Sequence, residues 1–191
     1  MKFRNISIFV LLLAGLLLFG LVEGVWVPHS ERREQELNQA QLNPLTHDIT
    51  RSEKFATKYM GDASKVGGLF RSLPAKPISS FALDPDTFTV QLNIENTEPE
   101  QEQEDGQVLL YSATAAFALI DNLQAVIFNY GSAAYKVTRD DMQKWYGVDT
   151  LASLTENTDV WEKEVQSKLA DREYVTQALH SLFRKTEALS V

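Results

Sequence analysis

Residues Ile6 to Val22 form a run of seventeen apolar or small side chains without one charge, behind Lys2 and Arg4. A helix rises about 1.5 Å per residue and needs roughly 17 to 25 such residues to cross the hydrocarbon of a bilayer. The run is therefore just long enough to span. Phe3 extends it backwards, and Val25, Trp26 and Val27 extend it forwards past Glu23, so that Trp26 falls at the headgroup level where indole rings collect. The basic residues keep 1–5 as a short cytoplasmic tail, and the chain beyond residue 27 is then extracytoplasmic. A cleaved secretory signal shares the basic start and apolar core, but Val22-Glu23-Gly24 lacks the Ala-x-Ala character of a good cleavage site. Length and flanks favour an uncleaved, single-pass anchor over 6–27 in the cell membrane. The alternative is a secreted protein cut near Gly24. With no cysteine after the apolar run, a lipid-anchored lipoprotein is excluded.

The chain has no cysteine at all, so an exported domain must hold together by its core rather than by disulfides. About 140 residues lie beyond the anchor and its linker, a comfortable single-domain size that buries roughly two thirds of the unfolded surface. The net charge is -8, yet six acids lie in one short run: Glu95, Glu98, Glu100, Glu102, Glu104 and Asp105. Without that run the charges nearly balance. No cluster of Lys and Arg exists to neutralise phosphates, which disfavours nucleic acid as a partner.

Segment 28–50 is polar and mixed in charge, with Glu31, Arg32, Arg33, Glu34 and Glu36 close together, and reads as a solvated stalk, partly helical from Glu31 to Gln41. The globular part continues as alternating helix and strand-pair signals. Asp62 suits the N-cap of a helix over Ala63–Leu73 that carries Val66, Leu69, Phe70 and Leu73 at helical spacing and stops at Pro74. Ile78–Leu83 and Thr87–Ile94 read as a hairpin around Asp84-Pro85-Asp86, the second strand burying Phe88, Val90, Leu92 and Ile94. Val108–Ile120 is too short for a second span and reads as a buried core helix. Ala125–Tyr130 and Ala133–Val137 read as a second hairpin around Gly131-Ser132. Thr138 then caps a helix over Arg139–Tyr146 that Gly147 ends. Two C-terminal stripes complete the chain, Trp161/Val165/Leu169 and Val175/Ala178/Leu179/Leu182/Phe183, separated at Asp171.

The order helix, hairpin, helix, hairpin, helix predicts an α+β domain, an antiparallel sheet packed by helices on one face behind an N-terminal transmembrane helix. The segments Tyr59-Met60-Gly61-Asp62-Ala63-Ser64-Lys65-Val66-Gly67, Leu73-Pro74, Ala118-Leu119-Ile120-Asp121-Asn122-Leu123 and Lys144-Trp145-Tyr146-Gly147 carry a resemblance. Together they resemble the uncharacterised bacterial domain of unknown function 4825, the extracytoplasmic part of small membrane-tethered proteins of Gram-positive bacteria. The resemblance covers about Phe55 to Gly147. The α+β domain is accordingly read over 51–147, with a helical extension over 148–191 from the two C-terminal stripes; the resemblance itself implies no activity, because the family has no established catalytic residues.

Chemistry is correspondingly sparse. The histidines are His29, His47 and His180, the first two within the stalk and none in a metal-binding spacing, so no metal or cofactor is expected. No Cys nucleophile, Gly-x-Ser-x-Gly or Ser-x-x-Lys is present. Asp121 and Asn122, at the end of the apolar helix, are candidates for binding a ligand or simply for terminating that helix. Asp62 is a candidate polar contact beside Tyr59, or only a cap. The acidic run lacks the residue order of a calcium loop and reads as a mobile, solvated connection between strand and helix. Trp145-Tyr146 is expected to pack into the core.

The expectation is a non-enzymatic binding or regulatory module, tethered to the membrane and acting on an envelope protein or a small ligand. The alternatives are an envelope enzyme built on scattered carboxylates (Asp62, Asp121, Asp140, Asp141), which requires two of them to converge in a pocket, and a secreted structural protein.

Overall fold

The computed structural model describes residues 27–74, 77–95, 102–130 and 133–187. The chain divides into two compact units, 1–40 and 41–191. The apolar run read as an anchor and the Gly131-Ser132 turn lie outside the described residues. Among the described residues, no helix is long and apolar enough to cross a membrane. A polar helix, α1, is described over Val27–Leu42, a longer span than the Glu31–Gln41 that its charge pattern predicts.

The second unit starts earlier than the end of the polar segment suggests. His47 and Ile49 are each 2% exposed and belong to the core, although the residues around them are polar. A short helix α2 (Thr50–Glu53) leads to α3 (Ala63–Ser72), where Asp62 accepts the Lys65 N–H at 3.0 Å as the expected N-cap. Strands β1 (Ile78–Asp84) and β2 (Thr89–Ile94) come next, then the long helix α4 (Glu102–Leu119) and strands β3 (Ala125–Tyr130) and β4 (Ala133–Thr138). Thr138 caps α5 (Arg139–Tyr146) by accepting the Asp141 N–H, and Gly147 ends it in the left-handed conformation at φ 66°, where a residue without Cβ is at least cost. After a 3-10 turn (Leu151–Thr155) come α6 (Thr158–Trp161), a π-helical turn (Glu162–Gln166) and α7 (Ser167–Leu169). Asp171 caps α8 (Arg172–Leu182), accepting from Glu173 and Tyr174, and β5 (Arg184–Glu187) completes the domain.

The five strands form one sheet in the order β1-β2-β3-β4-β5. It is mixed, which corrects the purely antiparallel sheet expected from the sequence. β1 with β2, β3 with β4 and β4 with β5 are antiparallel, but β2 and β3 run parallel, Val90 opposite Val126 and Leu92 opposite Phe128. The physical reason is α4: a strand that returns parallel to its predecessor needs a crossover of a dozen or more residues, and the helix supplies it. The acidic run also differs from its reading as a loop, since Glu102, Glu104 and Asp105 belong to α4 and Asp105 is buried.

On the helix-facing side of the sheet Val90, Leu92, Val126, Phe128 and Val137 are buried, while Gln91, Asn93, Ile127 and Asn129 on the other side are half-exposed. That outer side carries a polar ladder: Asn129 Nδ2 donates to Asn93 Oδ1 at 2.8 Å, and Asn93 Nδ2 donates to Ser80 Oγ at 2.8 Å. Phe88 departs from the expected alternation. It is 42% exposed, with φ at 51°, and its carbonyl accepts from the N–H groups of Gln124 and Ala125. Every residue of α4 from Leu109 to Leu119 is buried. A helix apolar all round is a core helix, and here the sheet and the C-terminal helices share it. Trp161, Val165 and Leu169 are fully buried, so the helices that follow residue 148 pack on the same core.

Candidate functional site

Asp62, Asp121 and Asn122 gather around the turn that precedes α3. Thr57 N–H donates to Leu119 O at 2.9 Å, and Asp121 N–H donates back to Thr57 O at 3.0 Å, a single parallel bridge between this turn and the end of α4. Asn122 Oδ1 accepts the N–H of buried Met60 at 2.7 Å. Arg139 secures the same end: its Nε and Nη2 donate to Leu123 O and Ile120 O, and its guanidinium lies 5.4 Å from the Phe117 ring. Burial lowers the Arg139 pKa, with Asp121 and Asp140 opposing that shift. The polar groups at this end of α4 thus hold backbone in place. Asp140, which shares the Arg139 guanidinium with Asp121, lines a surface depression with Gln143 and Lys144, and Asp141 accepts from Thr138 Oγ1 at 2.7 Å within its own cap. Asp62 thus caps α3, Asp121 follows the end of α4, and Asp140 and Asp141 lie in the first turn of α5.

The opposite end of α4 is different. Fourteen residues separate Asp105 from Leu119, about 21 Å of helix, and there the N-terminal turn of α4 meets α8 and the ends of β3, β4 and β5 around a cleft of about 290 Å³. One close approach between α4 and α8 lies at its wall. A Cβ at Gly106 would lie 2.6 Å from Leu179 Cδ1 and 2.9 Å from Val175 Cγ1, so any larger residue here would force these side chains to shift. Val175, Leu179 and Phe183, spaced four apart on α8 and just beyond it, face Leu109 to make an apolar wall. The spacing of these three is legible in the sequence, but their facing a cleft is not.

The polar groups of the cleft come from four separate elements. Asp105, 8% exposed, stands in the first turn of α4, where the helix N-terminus favours a negative charge. Tyr130 ends β3 and meets Tyr135 of β4 edge to face, with centroids 5.9 Å apart. Burial raises the Tyr130 pKa, with the neighbouring Asp105 charge adding to it, so its phenol keeps its proton and remains a hydrogen-bond donor. Arg172 and His180, two turns apart along α8, and Lys185 on β5 are exposed at the mouth. Lys185 is paired opposite Tyr135 and holds its ammonium 5.8 Å from that ring. Nothing in the sequence brings these residues together, because they are dispersed from 105 to 185.

The trio Thr114, Tyr146 and Tyr174 closes the side of α4 against α5 and α8. Tyr146 OH lies 3.1 Å from Thr114 Oγ1, and Trp145 Nε1 donates to Tyr174 OH at 2.6 Å. Burial raises the pKa of both tyrosines. Trp145 and Tyr146 are half-buried and packed against the core. Among the described residues, no three His, Asp or Glu side chains converge as a metal site.

Fold and cleft together define a small α+β domain with a mixed five-stranded sheet, a central buried helix and one mixed apolar and charged cleft at that helix's N-terminal end. Residues 53–140 match the family described as Domain of unknown function (DUF4825), so the resemblance carried by Tyr59–Gly67 and Ala118–Leu123 is shown over that span. The match runs from the last residue of α2 into α5. It contains Asp105, Gly106, Tyr130 and Tyr135, while Arg172, Val175, Leu179 and Lys185 lie beyond it. No curated protein and no solved structure matches the chain.

Proposed function

We propose that the chain is a membrane-tethered, extracytoplasmic binding or regulatory module, with the cleft between α4, α8 and the sheet as its ligand site. The observation that carries the reading is the cleft itself. An apolar wall with polar groups converging on it supports a small-molecule site, and its size is close to the lower end of the range for such sites. The uncharged run 6–22 behind Lys2 and Arg4 supports the tether, and the polar, mixed-charge segment after it supports a stalk. Asp62, Asp121, Asp140 and Asp141 do not line this cleft, which supports recognition over an enzyme built on those four carboxylates.

The experiment is a small-molecule screen read by methyl NMR on the full-length protein. A ligand of the cleft shifts the methyls of Leu109, Val175 and Leu179, and Thr176→Trp, which fills the mouth from its exposed rim position, abolishes those shifts. Shifts confined to other methyls, or none at millimolar concentrations, would overturn the assignment of the site. The tether is checked separately: the full-length protein resists alkaline extraction from membranes, whereas deletion of 6–27 releases it. Recovery of the natural protein in the medium with Val25 at its N-terminus would sink the tether.

A further inference from the structure

We propose that β1 is a self-pairing edge, through which two copies of the chain join their sheets antiparallel across a twofold axis at Ala82. The inference draws nothing from the cleft and goes beyond its reading as a ligand site.

Among the described residues β1 and β5 are the two edges of the sheet, and they are guarded differently. An edge strand offers a row of backbone N–H and C=O groups to any passing strand, and proteins blunt it by shortness, charge, proline or a bulge. β5 is four residues long and carries Arg184, Lys185 and Glu187. β1 is seven residues long, holds no proline and no charge before Asp84, and has its register shift at its start, between Ile78 and Ser80. Ser80–Asp84 is therefore a regular, uncharged edge up to its last residue. Phe81 and Leu83, on the helix side with Leu92 and Val90, are only half-buried, although a Cβ at Gly67 of α3 would already meet the Phe81 ring at 3.0 Å. Ala82, on the other side, is exposed and too small to obstruct an approaching strand.

The order Ser80-Phe81-Ala82-Leu83-Asp84 selects a second copy and its register. An antiparallel copy about Ala82 sets each Phe81 opposite the other's Leu83, so that both half-exposed pairs gain cover on the helix side. Each surface meets its own image, as a twofold contact requires. Asp84 falls opposite Ser80 rather than another acid, so two chains of net charge -8 meet here without opposing like charges. The neighbouring registers are worse. An axis at Phe81 draws Ser79, where the ladder with β2 is irregular, opposite Leu83, and an axis at Leu83 sets Pro85, which has no N–H, opposite Phe81. β1 does not line the cleft, so pairing here leaves the ligand site open.

The chain has no cysteine, so a single introduced thiol reports on its own neighbour. Ala82→Cys in the full-length protein, treated in intact cells with a short bis-maleimide, is expected to give a covalent dimer, since directly opposed residues hold their Cβ atoms about 4.5–5.5 Å apart. Lys136→Cys, exposed on the same side of the sheet but on β4, is expected to give none. In detergent solution Ala82→Lys should weaken self-association about fivefold by opposing like charges, and mixing it with Ala82→Glu should restore association. Such restoration is a response that a folding defect in either variant does not produce. Absence of the Ala82→Cys dimer, or a mixture no more associated than its components, overturns the second copy. Capture of a different protein in its place by a thiol-linked benzophenone at Ala82 overturns it too, and gives the edge to a foreign strand. None of these outcomes alters the methyl shifts that test the cleft, so the two readings fail separately.

Discussion

His47 Nδ1 lies 2.7 Å from the phenol oxygen of Tyr111, 64 residues further along the chain, and both side chains are buried. The rest of the geometry assigns the protons. His47 Nε2 is 2.9 Å from the Ser72 carbonyl, which only accepts, so Nε2 carries the hydrogen and Nδ1 accepts from the Tyr111 O–H. Trp161 Nε1 then donates to the Tyr111 oxygen at 3.2 Å. Gln166, turned inward by the π-helical turn, donates to the carbonyls of Pro44 and His47, both at 2.9 Å. One tyrosine on α4 thereby ties the entry segment to the helices that close the domain.

Removing that hydroxyl is expected to be costly. Tyr111→Phe leaves His47 Nδ1 and Trp161 Nε1 buried without their partner, and each such loss costs about 1–3 kcal/mol. Chemical denaturation should show a loss of roughly 2–4 kcal/mol, with an unchanged dependence on denaturant if the fold is retained.

Acid should weaken the same cluster. Burial holds the His47 pKa below the ordinary imidazole value of 6.5; the Ser72 carbonyl and Asp48 oppose this, while Arg51 adds to it. Below that value the unfolded chain takes up a proton that the folded chain refuses. The stabilisation due to neutral His47 is therefore complete above about pH 7 and is lost progressively as pH falls through 6.5 toward the folded pKa. The pH slope of stability between about 7.5 and 5.5 should be smaller in His47→Gln than in the natural protein. Identical slopes would show that His47 does not carry the effect.

Asn122 separates backbone support from ligand binding. Its Oδ1 is the acceptor for the Met60 N–H, so Asn122→Ala is expected to lose about 1–2 kcal/mol, and Asn122→Asp, which keeps the acceptor, much less. Equal losses in thermal unfolding would refute that account.

Phe88 offers a gain. A bulky residue at φ 51° is strained by about 1 kcal/mol or more, and its ring is half out in solvent. Asparagine adopts this conformation readily, so Phe88→Asn should stabilise the protein by about 0.5–1 kcal/mol. A fall in Tm would mean that the exposed ring makes contacts worth more than the strain.

How much the sequence discloses depends on the range of the interactions concerned. The caps at Asp62, Thr138 and Asp171 are legible because each is decided within three residues. The alternation Val90, Leu92, Ile94 is legible for the same reason, but Phe88 breaks it, because its backbone serves Gln124 and Ala125 across the sheet. His47 reads as part of the polar segment since its neighbours are polar; its burial depends on Tyr111 and Gln166. Strand β5, Arg184 to Glu187, has no apolar alternation, and its pairing with β4 alone makes it a strand. The cleft is illegible throughout, because no local pattern relates Asp105 to Tyr130, Arg172 or Lys185.

The parallel pairing of β2 with β3 has a kinetic consequence. β1 with β2 and β3 with β4 join segments close in sequence, whereas Val90 meets Val126 only after the whole of α4 has been laid between them. Closing so long a connection consumes chain entropy before any contact repays it, and non-local pairings are the slow step in small domains. The two halves of the sheet are thus expected to form early and to wait for the central helix, so that substitutions along α4 slow folding more than they speed unfolding.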